Sequence, residues 1–380
     1  MTTVTQPASQ PDSVESRRYN RTRRRLEIVD FVLGLGMLVL LLATGWTKVL
    51  AAWARTLGND NYDLSLLLYV VMLAIIGKFL GIGFDFYSFR LEHQYQLSNQ
   101  NFRSWLKDEA KSWLIGLLFG AIAVEFVYWM MRLFPQKWWL VSWGVFIVVF
   151  VIFVQLAPVL LFPIFFKFKP LENESLKERL VRLGERAGAR VRGVYEWKLS
   201  EKSKKANAAL TGLGKTRRIL LADTLLDNYS EDEIEAVMAH ELGHHVHGHI
   251  LKSILVQAAV TFVGFFLAAR VLHYAVKQRF MFPVISDFAD LPLLALVSTI
   301  LTFLLIPALN AWSRHNERQA DRYAFKSIPS VEPFISSMDK LAEQNLAERA
   351  PSRWVEFFFH SHPAISKRIA AAQAWGKSKA

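Results

Sequence analysis

The chain has 380 residues and no cysteine, which removes disulfides, zinc-thiolate sites and thiol nucleophiles in one step and leaves the redox compartment open. No internal repeat is visible. The first 28 residues also lack the apolar core of a signal peptide: they are polar and end in Arg17, Arg18, Arg21, Arg23, Arg24 and Arg25. They read as a basic, disordered arm. Acidic residues are short as well, 33 Asp and Glu against 45 Lys and Arg, for a net charge of +12. Such an excess can serve nucleic acid, but arginines directly before an apolar run are explained by membrane topology. No nucleic-acid partner is expected.

What is abundant is apolar surface. Hydrophobic residues make up 52% of the chain and aromatic residues 13%, too much for an ordinary soluble domain. Six stretches have spanning length: Val29 to Leu50, Leu64 to Tyr87, Ser112 to Leu133, Trp138 to Leu161, Ile254 to Ala275 and Leu291 to Trp312. The expected fold is mainly α, a multipass membrane protein in contact with a lipid bilayer. The positive-inside rule puts the N-terminus in the cytoplasm, and six crossings return the C-terminus there. Lys- and Arg-rich loops at Arg90 to Lys111 and Lys167 to His249 agree, whereas Lys277 and Arg279 run against the trend.

The chain then divides into an arm (1–28), four spans (29–164), a soluble region (165–250), a membrane hairpin (251–312) and a C-terminal part (313–380). In the soluble region Leu171 to Ala187 has helical periodicity, while Arg192 to Leu199 and Arg218 to Leu221 read as short strands. Lys78, Asp85, Glu125 and Gln155 fall inside spans, where polar groups are costly. They are expected to face a wet interior or to pair with one another.

His240-Glu241-Leu242-Gly243-His244 is the most informative segment. Two histidines four apart share one helical face and can reach one zinc ion, with the intervening glutamate free to act as base toward water. The helix is predicted from Ser230, which forms a capping box with Glu233. Acidic Glu231 and Asp232 follow in the first turn, and Ile234, Val237 and Met238 recur at helical spacing. His245, His247 and His249 read as solvated.

A zinc hydrolase needs a third protein ligand, and span parity puts it after an even number of crossings. The segment Ser313 to Asp321 is the first candidate. If Glu317 binds metal, Asp321, one turn on, can accept a hydrogen bond from a ligand histidine. His315 is a competing ligand, and a solvated helix of Glu and Arg pairs is the other reading of this segment.

With these residues in place, the chain resembles the type I CAAX prenyl protease family, membrane-embedded zinc endopeptidases of the gluzincin type. The resemblance is carried by Glu92 to Gln100, Phe166 to Leu171, Lys205 to Ala208 with Gly212, and Arg218 to Leu226. It continues in Ser313 to Asp321 and in Ser361-His362-Pro363 with Arg368. Gln96-Leu97-Ser98, where eukaryotic members have Gly-Phe, marks a bacterial-type member.

The resemblance implies a small cytoplasmic α+β protease domain and an enclosed chamber. It implies one zinc per chain on His240, His244 and Glu317, with Asp321 behind them and Glu241 as general base. Asn207 and Ala208 would lie on an edge strand that pairs with an extended substrate, and His362 and Arg368 would stabilise the oxyanion. The substrate would be a peptide or a membrane-associated protein, prenylated or misfolded, and the location a bacterial inner membrane with the site on its cytoplasmic side. A transporter or channel with a non-catalytic metal site is the alternative, and it leaves Glu241 without a role. A site-2-type intramembrane protease is the other rival, in which the metal helix is itself a span.

Overall fold

The computed structural model describes residues 12–212, 217–278 and 282–379, so the start of the arm and Arg279 lie outside the described residues. In chain order, α1 (Val14–Ala43), α2 (Trp46–Leu57), α3 (Tyr62–Gln94), α4 (Phe102–Leu133), α5 (Trp138–Leu160) and α6 (Phe162–Phe165) come first. The soluble region holds β1 (Phe168–Pro170), α7 (Glu174–Arg186), β2 (Gly193–Trp197), β3 (Ala208–Thr211), β4 (Arg218–Ala222), α8 (Asp223–Leu226) and α9 (Glu231–Val246). Then follow α10 (His249–Lys277), α11 (Leu291–Ser327), α12 (Glu332–Gln344), α13 (Arg353–Phe359) and α14 (Ile365–Lys379).

Six helices are long and apolar enough to cross a membrane: α1, α3, α4, the run α5–α6, α10 and α11. Five of them contain the expected spans; the first expected span, Val29 to Leu50, is cut at Ala43, where the left-handed Gly45 (φ +74°) turns the chain into α2. The strands form one sheet in the order β1-β2-β4-β3, with β2 and β4 parallel and the outer pairings antiparallel. This order leaves β3 at an edge.

Composition predicts disorder up to residue 28, but from Val14 onward the arm is helical. Ser13 caps α1 by accepting from the Ser16 amide. What orders it is distant in sequence. Ser16 Oγ donates to the Leu346 carbonyl at 3.0 Å and Asn20 Nδ2 to the same oxygen at 2.7 Å, while Arg24 forks onto Glu348. Tyr19 is buried against Leu91 and Leu97, its hydroxyl on Glu92. Docking supplies what an isolated basic helix lacks, since short helices are marginal without tertiary packing.

The second difference is at the other end of the chain. The predicted span ending at Trp312 and the helix after it are one uninterrupted helix, α11, running through Pro307. No glycine lies between Leu291 and Ser327 to end it. The residues of the segment Ser313 to Asp321 therefore ride on the continuous extension of a membrane span.

Polar groups inside the spans are partly paired. Lys78 binds Asp85 at 2.7 Å and also Glu109, as expected of charges in hydrocarbon. Gln155 is exposed on α5. Glu125 Oε1 is buried with no hydrogen-bond partner among the described residues.

Candidate active site

The site is built by α9, the N-terminus of α10, α11 and the loop before α14. Helix α9 starts as predicted: Ser230 Oγ accepts from the Glu233 amide and Glu233 Oε2 from the Ser230 amide at 2.8 Å, a device of about 1 kcal/mol. Glu233 is held further by Lys340 and Ser336. The buried Glu235 is paired with Arg179 and Arg186. The motif helix is thus fixed to α7 and α12 before any metal is considered.

Gly243 sets how closely α11 can approach. A Cβ at this position would lie 2.8 Å from Ala320 Cα and 2.9 Å from its carbonyl oxygen, so the two backbones meet where only glycine fits. Ala320 is fully buried in that contact. The close crossing brings Glu317 over the two histidines. Glu317 Oε2 is 3.2 Å from His240 Nε2, Oε1 is 3.3 Å from His244 Nε2, and the two Nε2 atoms are 3.2 Å apart.

One ligand atom from each of these residues can be chosen so that all lie within 4.8 Å of one another. Glu317 Oε2 is buried and makes no hydrogen bond among the described residues, although buried carboxylate oxygens nearly always have a partner. Two imidazole nitrogens and a carboxylate facing one point are a donor set suited to a zinc ion with an open position. His315, the competing ligand, is exposed and contacts Gln319 instead.

The surroundings fix the tautomers. His240 Nδ1 lies 2.8 Å from Asp321 Oδ1 and donates to it, which leaves Nε2 free for metal. Arg368 donates to both oxygens of Asp321, from Nε at 2.9 Å and Nη2 at 2.6 Å. Its 3.2 Å approach to His240 Nδ1 is then a contact between two donors rather than a hydrogen bond. The resemblance implies Arg368 at the oxyanion; here two of its nitrogens are committed to Asp321. His362 Nε2 is 3.4 Å from Glu317 Oε1 and its ring is largely exposed toward the cleft.

Charge follows from this packing. Burial and Arg368 disfavour the cationic form of His240, but the Asp321 and Glu317 carboxylates outweigh them and raise it to about 9 without metal. An arriving cation would therefore displace a proton there. Burial pushes the Glu241 carboxyl above the ordinary glutamate range, the direction that strengthens a base toward water. Desolvation by the crowded surroundings of the site lowers His362 despite the nearby Glu317, although part of its ring stays open to solvent.

Glu241, His244, Leu210 and Gly212 line a cavity of about 330 Å³ that also reaches Phe150 and Val154 of α5 and Ile254 of α10. The cleft thus joins the edge strand to the membrane spans. Asn207 is exposed just before β3, its carbonyl accepting from the Ala222 amide, and Ala208 opens the strand opposite Leu221. The structure therefore brings together His240, His244, Glu317, Asp321, His362 and Arg368, while Asn207 and Ala208 lie at the start of the edge segment whose later residues, Leu210 and Gly212, line the cavity.

Three contributors were given no role by the sequence reading. His249, expected to be solvated, is 4% exposed and bonds His244 at 2.9 Å, because the Gly248 turn (φ +64°) folds it back under the motif helix. Gly243 reads locally as a filler of the motif. Arg314 is buried and donates to the Glu356 and His360 carbonyls at 2.8 and 2.6 Å, holding the loop that carries His362. Its place beside Ser313 in the matched pattern is the only sequence signal for it. Helix α9 is not one of the six membrane-length helices, which counts against the site-2 arrangement.

Comparison with known proteins agrees with this geometry. Residues 170–376 match peptidase family M48, and residues 3–167 match the CAAX prenyl protease N-terminal region described as five membrane helices. An uncharacterized metalloprotease of Bacillus subtilis, YhfN, is 30% identical, with 94% of this chain and 84% of that protein covered. CAAX prenyl protease 1 of Saccharomyces cerevisiae is 26% identical over 94% of this chain and 84% of its own length. The crystal structure of Ste24p from S. mikatae superposes with a TM-score of 0.83 at 26% identity, covering 94% of this chain and 87% of that one. The transporter reading finds no support in these relatives. The chain belongs to peptidase family M48, as a membrane metalloprotease of the CAAX prenyl protease type.

Proposed function

We propose that the protein binds one zinc ion through His240, His244 and Glu317 and hydrolyses peptide bonds in membrane-associated proteins, prenylated or misfolded. The single observation that carries this reading is the buried Glu317 carboxylate, whose Oε2 makes no hydrogen bond among the described residues and faces His240 Nε2 while Oε1 faces His244 Nε2. Bound there, zinc supplies Lewis acidity that activates water and polarises the scissile carbonyl. The other steps belong to the chain. Glu241, half-buried in the cleft with its pKa raised, takes the proton from the attacking water and returns it to the leaving amine.

Asn207 and Ala208, at the free edge of the sheet, pair with an extended substrate backbone and so select for unfolded or terminal segments. His362 faces the ligand carboxylate from the open side of the cleft and stabilises the developing oxyanion. Arg368 works through Asp321, holding the carboxylate that orients His240. The site faces the cytoplasm of a bacterial inner membrane; the basic residues flanking the spans support that orientation.

The test is Glu241→Gln in the full-length protein. Cleavage of a generic peptide should fall by at least about 100-fold, the scale of a lost general base, while about one zinc per chain is retained. Loss of zinc together with activity would make Glu241 a ligand and end this assignment. The same variant, used as a trap, would identify the substrates by mass spectrometry.

A further inference from the structure

His240 and His244 are supported differently. His240 donates to the carboxylate of Asp321. Among the described residues no carboxylate bonds the outer nitrogen of His244; its Nδ1 lies 2.9 Å from His249 Nδ1. His249 Nε2 lies 2.9 Å from Gln319 Oε1, and Gln319 Nε2 lies 3.1 Å from His315 Nε2.

We propose that His249 is a positioning residue for the metal ligand His244, acting through a one-way hydrogen-bond chain from His244 through His249 and Gln319 to His315. The proposal rests on the zinc site described above. With His244 Nε2 turned toward Glu317, its Nδ1 carries the hydrogen and donates. His249 Nδ1 must then accept, which puts the hydrogen of its neutral ring on Nε2. That hydrogen meets Gln319 Oε1, an acceptor, and the Gln319 amide donates onward to His315. Every link has a single consistent polarity. Reversing any one would set two donors or two acceptors against each other.

The placement is specific. His249 is 4% exposed, and a buried imidazole needs both nitrogens satisfied. It is the first residue of α10, set by the left-handed Gly248, whereas Gln319 projects from α11 two residues beyond Glu317. The chain of bonds therefore ties the start of a membrane span and the third-ligand helix to the second histidine. It replaces the carboxylate with a neutral partner, which fixes the ring without adding negative charge beside Glu241.

The experiment uses the full-length protein in detergent and measures zinc transfer to a competing chelator, with the melting temperature recorded for each variant. His249→Leu removes the acceptor and should weaken zinc binding by roughly 10- to 100-fold, the usual effect of a lost outer partner. His249→Gln can accept from His244 and donate to Gln319, so it should restore affinity to within a few-fold. Gln319→Leu, which leaves His249 in place, should weaken binding in the same direction by less. His249 also lines the cleft, so in the zinc-saturated His249→Leu protein kcat should fall, whereas a rise in KM alone, with zinc affinity unchanged, would mark a cleft-lining role and overturn the proposal. Wild-type affinity in His249→Leu, or no rescue by His249→Gln when both melt alike, would overturn the proposal. If His249→Leu does not fold, undiminished affinity in Gln319→Leu overturns it alone. Wild-type zinc uptake by His244→Ala would show instead that the metal site is misassigned, and the relay would fall with it.

Discussion

The helical bundle has two ends, and they are closed by different chemistry. At the catalytic end, buried charges converge: Arg368 binds Asp321, Asp321 binds His240, and His240 faces Glu317. The opposite end is closed mainly by aromatic rings and hydroxyls, with the Arg55–Asp287 and Arg132–Asp63 pairs beside them. Tyr69, Tyr128, Trp138 and Phe288 form its core, Tyr128 binds Asp290, Tyr62 donates to the Ser286 carbonyl at 2.6 Å, and Thr47 meets Tyr69 at 2.6 Å. Between the ends, the apolar windows of the spans are only 0 to 22% buried against protein. The ends, not the middle, hold the helices in register. One end is built to bind a cation and the other to lock.

The sharpest way to break this contrast is at the metal ligand. Glu317→Ala should reduce zinc affinity beyond the roughly 10- to 100-fold expected of Asp321→Ala, which removes only the partner of His240. Metal analysis after dialysis against graded chelator checks the order. Equal losses, or emptying by His315→Ala alone, would reassign the third ligand.

Gly243→Ala tests whether backbone contact, rather than side-chain chemistry, builds the catalytic end. The added methyl would meet the Ala320 backbone at 2.8 Å, and neither helix has a flexible side chain to yield. A cost of about 1–3 kcal/mol in stability, together with lowered zinc content, is expected from thermal denaturation and metal assay. Full zinc occupancy at unchanged stability would mean that the crossing is looser than described.

Tyr128→Phe probes the far end. It leaves Asp290 buried without its only hydrogen-bond donor among the described residues, at a cost of about 1–3 kcal/mol. Zinc affinity should not change. A fall in affinity would show that the two ends are coupled rather than separate.

The smallest perturbation asks only on which side each end lies. Single cysteines at Arg182, Lys326 and Lys377 should react with an impermeant thiol reagent from one face of the membrane, and one at Lys277 from the other; the native chain has none to interfere. Finding Arg182 and Lys326 on opposite faces would exclude Glu317 from the site.

Local rules made much of this legible. The capping box at Ser230, the motif helix and the six spans each depend on residues within a turn or a window of one another. The helical arm did not show itself because Ser16 and Asn20 are held by Leu346, some 330 positions away. His249 was read as solvated for a related reason: its burial depends on the Gly248 turn and on a glutamine from another helix. Gly243 carries a requirement set by Ala320, which no periodicity expresses.

Helix α11 begins at Leu291 and reaches Glu317 through Pro307, which removes one ladder hydrogen bond without ending the helix, so the third ligand sits about seven turns, or roughly 39 Å, along a rod with a single weak point. Such a rod is a lever with its fulcrum in lipid. A change in tilt of about one degree would swing the carboxylate by about 0.7 Å, enough to matter to coordination. The Gly243 clasp is what resists that swing. A thinner or thicker bilayer would ask this helix to lean by a different amount, and the clasp is the feature that would keep the ligand in place.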